Sequence, residues 1–239
     1  MQSIIYMESL QPLQFFSTAQ FPCSYIPGRI ARNCVIDPDF DMDNKVYADL
    51  IKCGFRRSGS QVYRPQCAPC KECISTRIIV DEYMPNRSQR RNWKKNYSEV
   101  TVLVNDQGFK EEYRELYEQY VQDRHANTST DGVEEFFGSE WCNTHYLEFH
   151  WDKRLIGVAV VDVLENELSA VYTLFEPGIG NKIGLGTFAI MWELEYAKTL
   201  KKKYLYPGYW IEDCKKMNYK TNFKPIEGYV DGYWRMLKK

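Results

Sequence analysis

Apolar and polar positions alternate along this chain with two periods, one typical of strands and the other typical of helices. Runs of β-branched and aromatic residues predict strands at 76–80, 99–104, 145–151, 154–164, 168–175 and 204–209, with a last strand around 228–234. Apolar residues three or four apart predict helices at 47–53, 109–125 and 186–200, with shorter helical pieces at 133–137 and 213–221. Pro85 and Asn86 are placed to start one more helix.

Residues 168–200 are the stretch around which the rest is organised, because they combine a buried strand, a glycine-rich turn and a helix. Pro177, Gly178 and Gly180 break the strand, and Gly184 and Gly186 lead into the helix. The first N–H groups of a helix have no intrahelical partner, and glycine lets a phosphate come close to them. The turn therefore predicts an anion-binding cradle, although such glycines also serve as plain chain punctuation.

From residue 99 the predicted order is strand, helix, helix, three strands, helix, strand, helix, strand. This order is similar to the GNAT-type N-acyltransferase fold, in which the central strand, turn and helix hold the phosphates of an activated acyl donor. We therefore predict an α/β (α+β) fold: a GNAT-like acyltransferase domain at 81–239 and a smaller cysteine-bearing N-terminal region at 1–80. The first twenty or so residues are predicted to be a weakly structured leader. Asn181, Gly184 and Gly186 come near the turn of acetyl-CoA enzymes, so a CoA-dependent N-acetyltransferase stays open as an alternative.

Composition and charge narrow the class of protein. The 239 residues are 44% hydrophobic and 15% aromatic, which is enough for a sizeable core. The formal net charge of −1 excludes a uniformly basic surface, so contact with nucleic acid must come from local clusters. No apolar run reaches the length of a membrane span, and the N-terminus lacks the pattern of a signal peptide. These features predict a cytoplasmic protein without a membrane partner.

Three of the eight cysteines form the run Cys67-x-x-Cys70-x-x-Cys73, and Cys23 in a proline-bounded loop is the candidate fourth ligand. Thiolates two residues apart on a turn can share one soft metal ion or cluster. The spacing does not separate zinc from an iron–sulfur cluster, and reduced thiols that pack a knot of loops are the plain alternative.

The densest positive charge lies between residues 87 and 95, where one aromatic residue, Trp93, accompanies five cations: Arg87, Arg90, Arg91, Lys94 and Lys95. This composition is typical of a surface that neutralises RNA phosphates and stacks a base. A solvated helix face is the alternative, and it is weakened by the lack of alternating acids. A non-catalytic RNA-binding module therefore also stays open.

Two further positions are informative in different ways. Gly208 stands among bulky aromatic neighbours in the strand at 204–209, which indicates close approach of another group to the backbone. A tyrosine hydroxyl near that point could orient an amine. His125 is interpreted as a packed or capping residue and not as a catalytic base.

Several motifs, taken together, carry a resemblance over residues 12 to 235. They are Phe21-Pro-Cys-Ser-Tyr-Ile-Pro-Gly-Arg29, Gly54-Phe-Arg-Arg-Ser-Gly59, Pro85-Asn-Arg-Ser-Gln-Arg-Arg91, Tyr172-Thr173, Gly186-Thr187, Tyr209-Trp-Ile211, Lys216-Met-Asn-Tyr-Lys220 and Pro225-Ile-Glu227. In this combination the chain resembles the bacterial leucyl-tRNA–protein transferases, also called aspartate/glutamate leucyltransferases, which are relatives of the arginyl-tRNA–protein transferases.

The resemblance implies an aminoacyltransferase that moves leucine or arginine from charged tRNA to the N-terminal amine of proteins that begin with Asp or Glu. The product would be marked for degradation by the bacterial N-degron route. An aminoacyl ester is already activated, so the transfer requires no cofactor, and the iron–sulfur cluster or zinc at the cysteines is a separate question. The implied partners are aminoacyl-tRNA and acceptor proteins, and not DNA.

The site residues expected from this resemblance fall into four groups. The helix start at Gly184, Gly186 and Thr187 would hold the tRNA 3′ end, and the five cations at residues 87–95 would hold its phosphates. A carboxylate matches a guanidinium fork, so the acceptor side chain is expected to bind Arg56, Arg57 or Arg64, any of which could instead form a structural ion pair. The residues expected to orient the amine are Tyr172, Tyr206 and Tyr209.

Overall fold

The computed structural model describes residues 12–124 and 132–237. The helices in these ranges are α1 (Asn44–Lys52), α2 (Arg87–Tyr97), α3 (Glu111–Arg124), α4 (Val133–Phe137), α5 (Pro177–Ile183) and α6 (Leu185–Thr199), with a 3₁₀ turn at Asn218–Asn222. The strands are β1 (Phe15–Ser17), β2 (Phe21–Pro22), β3 (Ile30–Ala31), β4 (Asn33–Ile36), β5 (Arg56–Ser58), β6 (Gln61–Pro65), β7 (Ile74–Ile79), β8 (Val100–Asn105), β9 (Thr144–Trp151), β10 (Arg154–Val163), β11 (Glu167–Phe175), β12 (Tyr204–Trp210), β13 (Ile226–Val230) and β14 (Tyr233–Met236).

An eight-stranded sheet forms the centre of the molecule, in the order β14-β13-β7-β12-β11-β10-β9-β8. Its neighbouring strands are antiparallel except for β11 and β12, which run parallel. The parallel pair follows from the crossover through α5 and α6, because a strand that returns beside its predecessor in the same direction needs such a connection. The predicted α/β (α+β) class is confirmed. The GNAT-like assignment of residues 81–239 stays a prediction.

The N-terminal part contains more regular structure than its turn-rich sequence predicts. A second sheet has the order β1-β4-β6-β5, and a core cluster that includes Tyr47, Leu50 and Ile51 of α1 packs in the same part of the molecule. The expectation of a weakly structured leader is wrong for residues 15–17, because β1 pairs with β4; residues 1–11 lie outside the described ranges. β7 pairs within the large sheet although it precedes residue 80, and the division into 1–80 and 81–239 stays a prediction.

The glycine-rich segment between β11 and α6 is not an irregular turn as expected. Residues 177–183 form α5, because Pro177 occupies a first-turn position where its missing N–H costs nothing. Gly180 is required by packing, since a Cβ there would lie 2.2 Å from the Phe175 ring. Gly184 joins α5 to α6 in the left-handed region at φ +69°, a conformation that glycine adopts without strain. The end of the helix predicted at 109–125, with His125, lies outside the described residues.

Helix α2 is fixed to α6 by its polar and aromatic residues. Asn86 and Gln89 form a capping box at its start. Trp93 packs against Phe188 and Trp192 of α6, with ring centroids 5.2 and 5.7 Å apart. The basic residues of α2 are therefore free to face solvent, because other positions of the helix provide its packing.

Candidate active site

A cleft opens where the parallel strands β11 and β12 separate. Their register covers only three pairs, from Glu167 with Tyr204 to Ser169 with Tyr206, and the strands diverge beyond it. The buried guanidinium of Arg56 lies in the gap, where it donates to the carbonyl of Ala170 on β11 and, at 3.2 Å, to that of Tyr206 on β12. Arg56 thus satisfies carbonyls that would otherwise lack a ladder partner.

The cleft has a volume of about 670 Å³, within the range of sites that hold small ligands. Its walls come from α3, β11, α5, the start of α6 and the segment around the 3₁₀ turn. The predicted donor residues Gly184, Gly186 and Thr187 all line it, and so does Tyr172. The structure therefore brings together these four residues, which the sequence singled out for two different reasons.

The basic helix α2 lies directly beside this glycine segment. Asn92 donates to the carbonyl oxygens of Ile183 and Gly184 at 2.9 and 3.1 Å, and Asn96 donates to that of Ile183 at 3.0 Å. All five cations of the helix are exposed: Arg87, Arg90, Arg91, Lys94 and Lys95. Helix α2 therefore contacts the segment of the cleft wall that contains Gly184, and its cations are exposed.

Two buried ionisable residues that the sequence analysis did not select lie at the bottom of the cleft, Lys220 and Glu193. Lys220 Nζ donates to the carbonyl of Tyr209 at 2.6 Å and lies near Met217 Sδ at 3.3 Å. A Cβ on Gly208, which has φ +100°, would lie 3.3 Å from this Nζ. The close approach predicted at Gly208 is confirmed, and the approaching group is a lysine.

The protonation of these two residues is set by burial. Burial lowers the pKa of Lys220 to about 7, and the charge of Arg56 acts in the same direction. Burial raises the pKa of Glu193 to about 8, against the smaller opposing effects of Thr173, Arg56 and Lys220. Both residues can therefore change charge near neutral pH when a ligand of the right sign arrives.

Arg57 and Arg64 lie outside the cleft. Arg57 forms a fully buried ion pair with Asp162, with Nε and Nη2 at 2.7 and 2.5 Å from its two carboxylate oxygens. Its other donors reach the carbonyls of Gly59 and Phe137. Arg64 donates to the carbonyl of Cys53 at 3.0 Å. The expectation that Arg57 binds the acceptor is wrong, because its donors are occupied by structural partners and its side chain is inaccessible.

Tyr206 and Tyr209 also do not present their hydroxyls to the cleft. Tyr206 is fully buried in the core cluster that packs near α1. The hydroxyl of Tyr209 donates to the carbonyl of Gly54 at 3.0 Å. The expected role of these two hydroxyls in orienting an amine is contradicted by their placement, although Tyr209 contributes its main-chain carbonyl to Lys220.

The four cysteines of the predicted metal site lie in one region of the N-terminal part. Burial raises the pKa of the Cys73 thiol to about 12, and the nearby thiols of Cys67, Cys23 and Cys70 add to this. Backbone N–H groups point at two of the sulfurs, from Ile26 to Cys23 and from Arg32 to Cys67, both at 3.4 Å. Within residues 12–124 and 132–237, however, no group of three or more metal-ligating side chains is arranged to hold an ion. This geometry does not support the metal prediction.

Most of the chain matches two models of one protein family. The family described as "Arginine-tRNA-protein transferase, N terminus" matches residues 21–91, and the family described as "Arginine-tRNA-protein transferase, C terminus" matches residues 112–230. A protein from Marinobacter nauticus named aspartate/glutamate leucyltransferase is 42% identical over 236 residues, which covers 97% of this chain and 99% of that relative. The chain belongs to the aspartate/glutamate leucyltransferase family.

Other comparisons agree or add only a distant likeness. The aspartate/glutamate leucyltransferase of Pseudomonas fluorescens is also 42% identical, over 97% of this chain and 100% of its own length. The solved structure of L-PGS from Bacillus licheniformis superposes with a TM-score of 0.47 at 12% identity, over 59% of this chain and 46% of its own. No helix in the described part of the chain is both long and apolar enough to cross a membrane.

As a member of this family the protein is an aminoacyltransferase.

The sequence carried signals for the two buried residues of the cleft, Lys220 and Glu193, that the sequence analysis did not use. Lys220 ends the motif at 216–220, and the motif does not show that this lysine is buried. Glu193 stands four residues from both Ala189 and Ala197, on a buried face of α6. An acid on such a face was the available signal, because charged residues are almost never buried without a partner.

Proposed function

We propose that this enzyme transfers leucine from leucyl-tRNA to the N-terminal amine of proteins that begin with Asp or Glu. The observation that carries the proposal is the cleft at the diverging strands: α2 contacts its wall at Gly184, and the buried Lys220 lies at its floor. Its relatives bear the matching name, aspartate/glutamate leucyltransferase.

The donor would enter from the α2 side. The phosphates of the acceptor stem pair with the exposed cations of α2, and the 3′-terminal nucleotide lies against the start of α6 at Gly184 and Gly186. The walls around Tyr172, Phe175 and Ile190 are aromatic or aliphatic, which suits a leucyl side chain better than a charged arginyl side chain. Holding the ester and the amine in one cleft supplies up to ~7–11 kcal/mol of rate acceleration in well-oriented models.

The acceptor's acidic side chain would bind at Lys220. When Lys220 is protonated, two of its three N–H groups are directed at the Tyr209 carbonyl and at Met217 Sδ, so one N–H group remains for a ligand. A bound carboxylate would favour this protonated form. Arg56 is buried beneath the floor, so its contribution is positive charge and not a direct contact. Transfer in the cytoplasm would then mark acidic N-termini for the N-degron route.

The direct test incubates the purified protein with separately labelled leucyl-tRNA and arginyl-tRNA and an Asp-starting peptide. Leucine on the peptide supports the proposal, and transfer of arginine in its place corrects the donor. Binding of acetyl-CoA without transfer from either tRNA would contradict the proposal. A metal analysis of the same preparation tests the zinc or iron–sulfur prediction at Cys23, Cys67, Cys70 and Cys73.

Replacing Lys220 by Met should lower kcat/KM for an Asp-starting peptide by about 30-fold, because removing one partner of a buried charge pair costs roughly 2 kcal/mol or more. Affinity for tRNA should not change. Lys216, which is exposed at the mouth of the same cleft, provides the matched control Lys216→Met. Equal losses in the two variants would remove Lys220 from acceptor recognition.

The affinity for the acidic side chain should fall as pH rises above 7. Lys220 has a pKa of about 7 in the free enzyme, so it is charged below that pH and neutral above it; the groups that face it are Arg56, Cys214, Glu193 and Cys73. A succinyl-capped peptide, which is N-terminal Asp without its amine, isolates this effect. Its dissociation constant should rise about five-fold from pH 7 to 8 and about ten-fold more to pH 9. The same rise in Lys220→Met would contradict the assignment.

A further inference from the structure

The buried carboxyl group of Glu193 lines the cleft and takes no part in the donor and acceptor contacts proposed above. The residue has no solvent exposure and lines the cleft from α6. Within the described residues neither carboxyl oxygen has a partner at full hydrogen-bond geometry, although the Thr173 hydroxyl lies near enough to lower its pKa. Burying a carboxyl group whose hydrogen-bonding capacity is largely unused costs free energy, so its presence at the floor of an open cleft points to a ligand that supplies further donors.

The charges around Glu193 indicate the chemistry of that ligand. Arg56 and Lys220 lie close enough to influence it, and it influences Lys220 and Tyr219 in turn. Thr173 is the remaining polar neighbour. The floor therefore offers one site for a cation, at Glu193, beside one site for an anion, at Lys220. An N-terminal Asp or Glu carries an ammonium group and a carboxylate only a few bonds apart, whereas the donor's aminoacyl group carries the ammonium alone.

We infer that Glu193 binds the α-ammonium group of the acceptor's first residue and takes its proton before the amine attacks. This inference rests on the proposed function and names the group that receives the proton. One proton passes from the ammonium nitrogen to a Glu193 oxygen. The neutral amine then forms a bond to the ester carbonyl carbon, the bond from that carbon to the tRNA ribose oxygen breaks, and the nitrogen's second proton goes to that oxygen. Glu193 releases this proton to solvent when the next acceptor's ammonium group arrives, because the positive charge favours the ionised carboxylate.

The energetics of the proton transfer fit these partners. A peptide α-amine has an ordinary pKa of about 7.7–8.0, and burial raises the pKa of Glu193 to about 8, so the proton moves between groups of similar affinity. The carboxylate becomes ionised when the ammonium group arrives, because an opposite charge favours the charged form. A group poised in this way does not need to be ionised in the empty cleft.

The test measures peptide dissociation constants for the unaltered enzyme and for Glu193→Gln, each with a peptide that has the N-terminal amine and with one that lacks it. Uncharged tRNA is bound first, so that no transfer occurs, and two peptides are compared: one with N-terminal Asp and one with a succinyl cap. Glu193→Gln should weaken binding of the Asp peptide roughly 10- to 100-fold, the range for a hydrogen bond between charged groups, and should leave the succinyl peptide unchanged. Equal weakening of both peptides, or of neither, would overturn the inference.

The single-turnover transfer rate provides a second readout, and in Glu193→Gln it should fall about 100-fold. Glu195→Gln is the matched control, since Glu195 lies on the same helix but pairs with Lys198 at the surface. Glu193→Asp keeps the carboxylate and should retain part of the Asp-peptide preference, and it serves if the Gln variant does not fold. Weaker binding of leucyl-tRNA relative to N-acetyl-leucyl-tRNA in Glu193→Gln would assign Glu193 to the donor's ammonium instead. Absence of transfer by the unaltered enzyme would instead count against the proposed function.

Discussion

Replacing the five cations of α2 by Ala should weaken tRNA binding roughly 1,000-fold at 0.1 M salt and flatten its salt dependence. Each phosphate contact contributes about 0.7–0.9 to the slope of log K against log salt, the values for single-stranded and duplex nucleic acid, so loss of five contacts should lower the slope by up to about 3.5–4.5. The helix itself should remain, because Gln89, Asn92, Trp93 and Asn96 make its contacts to the rest of the protein. Fluorescence anisotropy at several salt concentrations measures both quantities.

A matched control removes charge at the other end of α6. Lys201 and Lys203 are exposed there, and Asn tolerates the positive φ of residue 201. The variant Lys201→Asn with Lys203→Ala should bind tRNA with almost unchanged affinity. A comparable loss in this control, or an unchanged salt slope in the α2 variant, would show that α2 is not the phosphate-binding surface.

Arg57→Met should lower the free energy of unfolding by about 3–5 kcal/mol, since it leaves Asp162 buried without its ion-pair partner. Urea denaturation, followed by circular dichroism, measures the change. Restoring charge balance with Asp162→Val should recover only part of the loss, because the carbonyls of Gly59 and Phe137 would still lack the donors that Arg57 supplied.

The same pair of variants also tests the acceptor assignment. At a temperature where Arg57→Met is still folded, its preference for Asp-starting over Asn-starting peptides should equal that of the unaltered enzyme. A loss of that preference with full stability would return Arg57 to the acceptor site.

Strongly periodic segments were predictable from the sequence because local pattern and tertiary environment agree there. β9, β10 and α6 lie within one residue of their predicted bounds. Asp152 and Lys153 form a tight turn between β9 and β10, with positive φ at both positions. The short strands of the N-terminal part were missed because two to five residues carry too little periodicity to stand out from loops.

Only the part of the site that depends on local sequence signals could be predicted. The sequence could place Gly184 at a helix start because helix-start signals are local, and the structure shows that it lines the cleft. Its role in donor binding stays a prediction. Alternation along β12 shows that Tyr206 and Pro207 point to opposite faces, but it does not show which face holds the cleft. Glu193 and Lys220 acquire their chemistry from burial and from each other, which only the folded chain reveals.

The central place of β7 has a consequence for engineering this enzyme. β7 lies between β12 and β13, and its Arg77 stacks against Tyr204 and Trp234 while it pairs with Glu227 at 2.6 Å. The first eighty residues therefore supply an interior strand of the large sheet. A chimaera that took residues 1–80 from a distant homologue would have to preserve the side-chain contacts of β7 with both β12 and β13. We therefore expect single substitutions to change acceptor selectivity with less damage to the fold than exchange of the N-terminal segment.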